Sequence, residues 1–186
     1  MIFAETEKQK KHLQNISGST GSRLMRGHHS LTDTVEQKIA EHHKAEAALI
    51  FNSGYDANVG LFSCIPQRGD VVLYDELIHV SARDGMRMGF SSHYSFRHND
   101  LMHLEERLNK FHGKRVFVAV ESVYSMEGDL SPLKELSELC DRHNALLIVD
   151  EAHATGVYGK RGEGRVALMG LEMRLFAVLH TFGKAL

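Results

Sequence analysis

The chain has 186 residues, enough for one ordinary domain with a sizeable core, and its 42% hydrophobic and 25% charged fractions are globular values. A formal net charge of -2 gives no basic excess for nucleic acid or anionic membrane, and no apolar run reaches the ~20 residues of a membrane span. The two cysteines, Cys64 and Cys140, lack CxxC spacing, which argues against a disulfide framework or a thiolate metal site and fits a reducing compartment.

Taken in chain order, MIFAETEKQKKHLQNI places charges where a signal peptide would carry its apolar core, so a cytoplasmic location is expected. Residues 4–16 are polar and helix-compatible, and Gly18 to Ser22 form a glycine-rich loop. From Asp33 to about Lys44 the spacing predicts an amphipathic helix. After it, short apolar runs alternate with helical patterns. The runs are Ala48–Phe51, Val71–Tyr74, His93–Phe96, Val116–Val120, Ala145–Val149 and Phe176–Leu179. Helices are expected at 56–64, 78–88, 100–111, 132–143 and 165–172. Val116–Val120 and Ala145–Val149 are apolar throughout, as strands covered on both faces are. The alternation implies an α/β fold, a mostly parallel sheet with helices on both faces and right-handed crossovers. Ligands of such sheets bind beyond the carboxyl ends of the strands. Polar residues gather there: Asn52-Ser53-Gly54, Asp75, Glu121-Ser122, Asp150-Glu151 and His180-Thr181 each follow an apolar run.

The sharpest motif is LLIVDEAHATGVYG, residues 146–159. Asp150 ends a buried strand and His153 follows at the mouth of the expected crevice. A carboxylate there is costly unless something positive pairs with it. The protonated ring nitrogen of pyridoxal 5′-phosphate (PLP) is one such partner; a cap on the next segment is the plainer alternative. A helicase-type reading of DEAH needs an upstream G-x-x-x-x-G-K-[ST] loop, and no Gly-Lys pair here is followed by Ser or Thr. In HTFGKAL, Lys184 follows a glycine turn at a strand end, from which a desolvated lysine can act as an imine-forming nucleophile. In NSGYDAN, Gly54 permits close backbone approach at a helix start that suits a phosphate. His79 stands shortly after a strand end, where an imidazole can stack on a flat cofactor. Glu121 and Ser125, in VESVYSMEGDLSPL, follow a buried strand. His28-His29 and His42-His43 read as unremarkable, and with no HExxH spacing a zinc site is not expected.

In this order the motifs NSGYDAN, FRHND, ESVYSMEGD, DEAHATGVYG and HTFGKAL resemble the α-oxoamine synthase family of fold-type I PLP enzymes, from about Gly18 to the last residue. The resemblance implies that Lys184 forms the Schiff base and shuttles a proton, that Asp150 holds the ring nitrogen protonated and that His79 stacks on the ring, these three being the catalytic set. It places Ser125 and His153 near the ring's phenolic oxygen and Glu121 in support. It gives the phosphate to backbone N–H groups at Gly54 and Tyr55 and to the Thr181 hydroxyl. The implied reaction is a decarboxylating condensation of an amino acid, L-alanine first, with an acyl thioester, a pimeloyl group on CoA or acyl carrier protein, toward biotin. Another family member's substrates, or a non-catalytic fragment that packs against a partner, are the alternatives. The family pattern further implies a helical segment at 1–17, a partial PLP-binding large domain at 18–186, an absent small C-terminal domain, and a homodimer when complete.

Overall fold

In the computed structural model, residues 21–185 are described; the helical segment expected at 1–17 and most of the glycine-rich loop lie outside them. The helices are α1 (Ser30–His43), α2 (Gly54–Cys64), α3 (Val80–Met88), α4 (Leu101–Lys110), α5 (Leu133–Arg142) and the single turn α6 (Arg165–Leu168). The strands are β1 (Val71–Asp75), β2 (Ser92–Phe96), β3 (Val116–Glu121), β4 (Leu146–Asp150) and β5 (Ala177–Leu179). All neighbours pair in parallel, in the order β2-β1-β3-β4-β5. The parallel α/β sheet expected from the sequence is therefore the fold observed.

Alternate residues of each central strand enter two cores, because successive side chains of a strand point to opposite faces. Val71, Leu73, Val118, Val120, Leu147 and Val149 pack with Leu104 and Leu108 of α4 and Leu136 and Leu139 of α5. Val72, Phe117, Ala119 and Ile148 pack on the other face with Phe62 of α2 and Ala82 and Met86 of α3. Both faces are covered, which is why the strands read as continuous apolar runs.

Helix starts follow local side chains. Ser53 Oγ accepts the Asp56 N–H at 3.0 Å to open α2, and Asp100 Oδ1 accepts the His103 N–H at 2.9 Å to open α4. Helices α2 and α3 approach closely because Gly85 lies between them; a Cβ on it would stand 2.9 Å from Asn58 O and 3.0 Å from Phe62 Cβ.

Two expectations need correction. Ala48–Phe51 is not a strand: its apolar residues signal burial, but Leu49 is 69% exposed and the segment joins no ladder among the described residues. The helix expected over 165–172 shortens to α6 and a separate 3₁₀ turn at Glu172–Arg174, because Gly170 (φ 67°) breaks it.

Candidate active site

Strands β3 and β4 end side by side, in register, on two acids: Glu121 is the partner of Asp150. Asp150 is 8% exposed and its two oxygens are held separately. Oδ1 accepts the Ala152 N–H at 2.9 Å, the capping interaction that the sequence left as an alternative, and Oδ2 accepts Asn58 Nδ2 at 2.8 Å. The same amide donates to Ser81 Oγ at 3.1 Å, and Ser81 Oγ lies 2.7 Å from His79 Nδ1. A chain of side chains thus runs from Asp150 at the strand end to His79 at the start of α3. Each carboxylate oxygen accepts more than one hydrogen bond, so Asp150 retains capacity for a cationic N–H.

Glu121 is buried. Burial first, and then the neighbouring Asp150 charge, push its carboxyl up to about 7; the His79 backbone N–H and Lys184 oppose the shift. Of the two adjacent acids, Glu121 is the one inclined to hold a proton.

Lys184 Nζ lies 2.8 Å from His153 Nε2. Burial, and then the Lys184 charge, hold the His153 imidazole below its ordinary value, so its Nε2 is available to accept from the ammonium. Lys184 itself is exposed, as a group that must meet a ligand is. The β5 end that carries it packs on α2: a Cβ on Gly54 would overlap the Thr181 methyl. The N–H groups of Gly54 and Tyr55 open α2, where helix geometry supplies no acceptor. Tyr55 turns its hydroxyl away from them, to Asp84 Oδ2 at 2.5 Å.

Asp150, Glu121, His153, Lys184, Gly54, Tyr55, Thr181 and His79 therefore stand at one edge of the sheet. Ser125 follows the same strand end as Glu121, exposed in the turn after β3, and makes no hydrogen bond among the described residues. The fit to PLP is chemical: a buried acid for a ring N–H, an exposed lysine at the same sheet edge, and a glycine cradle with helix-start N–H groups for a phosphate.

Sequence reasoning missed several supports. Asn58 and Ser81 sit inside helices and look ordinary; the glycine within α3 was the available signal that something packs closely there. Glu151 was grouped with Asp150 but faces the opposite way, accepting the N–H groups of Arg165 at 2.9 Å and Val166 at 3.1 Å. The guanidinium of Arg165 then donates to the carbonyls of Ser122 and, at 3.1 Å, Ser131. His43, read as unremarkable, stacks on His180 with ring centroids 3.7 Å apart. His180 Nδ1 lies 2.9 Å from Thr155 Oγ1, whose own hydrogen goes to Glu151 O, so His180 donates and its ring is fixed behind Thr181.

Known proteins resemble this chain in sequence and in fold. The chain is 48% identical to the 8-amino-7-oxononanoate synthase of Emericella nidulans over 90% of its own length and 44% of the relative's. It is 44% identical to the aminoacyl transferase sphA of Aspergillus fumigatus, over 90% of this chain and 39% of that one. The fold superposes on serine palmitoyltransferase from S. paucimobilis, solved with a PLP–myriocin aldimine, at a TM-score of 0.88 and 34% identity, covering 95% of this chain and 45% of that one. The chain thus spans less than half the length of the relatives it matches. Residues 3–186 match the family described as aminotransferase class I and II, and the chain belongs to it.

Proposed function

We propose that this chain is the cofactor-binding part of a PLP-dependent α-oxoamine synthase, a C-acyltransferase that condenses an amino acid with an acyl thioester and releases CO₂. The observation that carries this reading is the meeting, at one sheet edge, of the doubly anchored Asp150 with the Lys184–His153 pair.

When bound, PLP supplies the electron sink that makes an amino acid's Cα–H bond acidic. Lys184 is the covalent anchor and, once free, the base that takes and returns the Cα proton. His153, kept neutral by burial and by Lys184, accepts a hydrogen bond from that amine and holds it at the mouth of the crevice. Asp150, held by two donors, pairs with the ring nitrogen, and Asn58 fixes the carboxylate's orientation. His79, braced by Ser81, covers a ring face. Gly54 and Tyr55 N–H groups and the Thr181 hydroxyl hold the phosphate. Glu121 backs Asp150, and Ser125 meets the phenolic oxygen.

For substrates, similarity to 8-amino-7-oxononanoate synthase supports L-alanine and a pimeloyl thioester on CoA or acyl carrier protein, with 8-amino-7-oxononanoate as product, in biotin synthesis. A serine palmitoyltransferase-type pair is the second reading, favoured by the sphA and S. paucimobilis similarities. The intact enzyme is read as a cytoplasmic homodimer.

The test uses the full-length protein. Borohydride reduction with PLP followed by peptide mapping should label Lys184; a label on Lys160 or Lys114 would overturn the assignment. Thiol release should be faster with L-alanine and pimeloyl-CoA than with L-serine and palmitoyl-CoA. The opposite ranking would transfer the chain to the second reading.

A further inference from the structure

A third buried acid, Asp75, wholly buried, ends β1 at the same sheet edge, two strands from Asp150. Its Oδ1 accepts the Leu77 N–H at 3.0 Å and lies 2.8 Å from His98 Nδ1, and its Oδ2 accepts the Asn99 N–H at 2.9 Å. The other ring nitrogen of His98, Nε2, lies 2.5 Å from Asp129 Oδ2, which also accepts Asn99 Nδ2 at 3.0 Å. Asp129 belongs to the loop 122–131 between β3 and α5. Arg165 grips the neck of that loop at the carbonyls of Ser122 and Ser131. Its exposed tip carries Ser125. Asp129 joins the loop to the β1 and β2 ends through His98 and Asn99, where Ser131 Oγ, donating to Asn99 Oδ1 at 3.3 Å, and the Tyr124 ring on His98 also meet them.

We infer that His98 is a positioning residue: held between Asp75 and Asp129, it ties the 122–131 loop to the carboxyl edge of the sheet and thereby places Ser125 over the cofactor site. The role of Ser125 in this statement rests on the proposed PLP chemistry; the tie itself does not.

The chemistry of the bridge makes it sensitive to charge. Both ring nitrogens face carboxylate oxygens, and the imidazolium supplies an N–H to each; Asn99 Nδ2, 3.1 Å from Nε2, is the donor that a neutral ring accepts from instead. The groups facing His98 are Asp75 of β1, Glu76, whose Oε1 accepts the His98 N–H at 3.0 Å, the Asn99 amide, and Asp129 and the Tyr124 ring of the loop, the latter edge-on at 4.5 Å between centroids. Burial opposes the charged ring, but the hydrogen bonds to Asp129 and Asp75 outweigh it and hold His98 above its ordinary value. When the ring loses its proton, one carboxylate loses its donor. Asp75 keeps two backbone N–H groups and is wholly buried, whereas Asp129 keeps only the Asn99 amide, and its side chain, 40% exposed, can turn to water. The loop end of the bridge is the one that opens.

The experiment is amide hydrogen exchange on the full-length protein, with and without PLP, at pH 6 and pH 8.5, with rates normalised to intrinsic exchange. In the wild type, peptides covering 122–131 should lose protection at the higher pH by on the order of tenfold, the loss of one charge-assisted bond. Asp129→Asn, which leaves the Asp75–His98 contact in place and spares the core, should exchange fast at both pH values. Peptides from β3 and α5 should not respond. His98→Gln should behave like Asp129→Asn if it folds, and Asp129→Asn decides the matter if it does not. Equal protection of the loop in wild type and Asp129→Asn would overturn the tie. In the holoenzyme, Asp129→Asn and Ser125→Ala should weaken PLP binding non-additively, because both remove the same contact. Additive losses would overturn the link to Ser125. The exchange arm reads the same in apoprotein, so a protein that fails to bind PLP would refute the cofactor reading while leaving the tie decided.

Discussion

Replacing Asn58 with leucine separates the cofactor role of this residue from its place in the core. The side chain is 3% exposed, donates to Asp150 at 2.8 Å and Ser81 at 3.1 Å, and leaves its Oδ1 buried without a partner among the described residues. Losing the bond to the Asp150 carboxyl group costs about 1.5–3 kcal/mol. Relief of the unpaired Oδ1 returns about 1–3 kcal/mol, and leucine adds apolar burial in nearly the same volume. These terms nearly cancel, so the apoprotein should unfold within about 1 kcal/mol of the wild type. Binding should not be spared. Asp150 keeps only the Ala152 N–H and sits against a new apolar neighbour, which disfavours its charge and frees its orientation. The full cost of the lost bond then falls on the pairing with the ring nitrogen, a rise of about ten- to a hundredfold in the PLP dissociation constant. Urea unfolding of the apoprotein and a fluorescence titration with PLP measure the two halves. An apoprotein destabilised by more than about 3 kcal/mol with unchanged PLP affinity would refute the reasoning and make Asn58 a structural residue only.

Gly54→Val would drive a side chain into the Thr181 methyl and close the phosphate cradle; PLP binding should fall at least about tenfold while pyridoxal, which lacks the phosphate, binds nearly as before. Equal losses for both ligands would deny the cradle. Glu121, pushed up to about 7 from an ordinary 4.5, holds its proton in the fold at pH values where the unfolded chain has lost it. Its contribution is therefore present at low pH and is lost as pH rises from about 4.5 to about 7, by roughly 3 kcal/mol. Glu121→Gln should remove that slope from the urea-midpoint profile of the apoprotein. His43 and His180 act in the opposite direction: burial pushes them down to about 4 and about 3, so stability falls as pH drops below about 6.5 and the unfolded chain gains protons first. His180→Asn should flatten the acid limb, measured by the same midpoints; an unaltered limb would mean the ring is not buried in solution.

The legible part of this protein was its strand ends. A strand covered on both faces must be apolar along its length and can turn polar only where it leaves the sheet, so Asp75, Glu121, Asp150 and Thr181 announced the ligand edge in one dimension. Lys184 and His153 followed because each lies within a few residues of such an end. The same logic misled at Ala48–Phe51, where apolarity promised burial but a strand also needs a neighbour to pair with. Asn58 was illegible for a different reason. Its function is defined by Asp150, 92 residues away, and by Ser81, 23 residues away, and nothing in its own neighbourhood distinguishes a buried amide from a solvated one. His98, Asp129 and Arg165 share that property, since each joins loops that follow different strands. Motif order nominated residues to touch a cofactor, because chemistry restricts their type. The residues that hold those in place are restricted only by where the chain brings them, and Gly85 shows the one trace this leaves in sequence. A helix interior spends about 1 kcal/mol on glycine when two backbones must come close enough for Asn58 to reach an acid on another element.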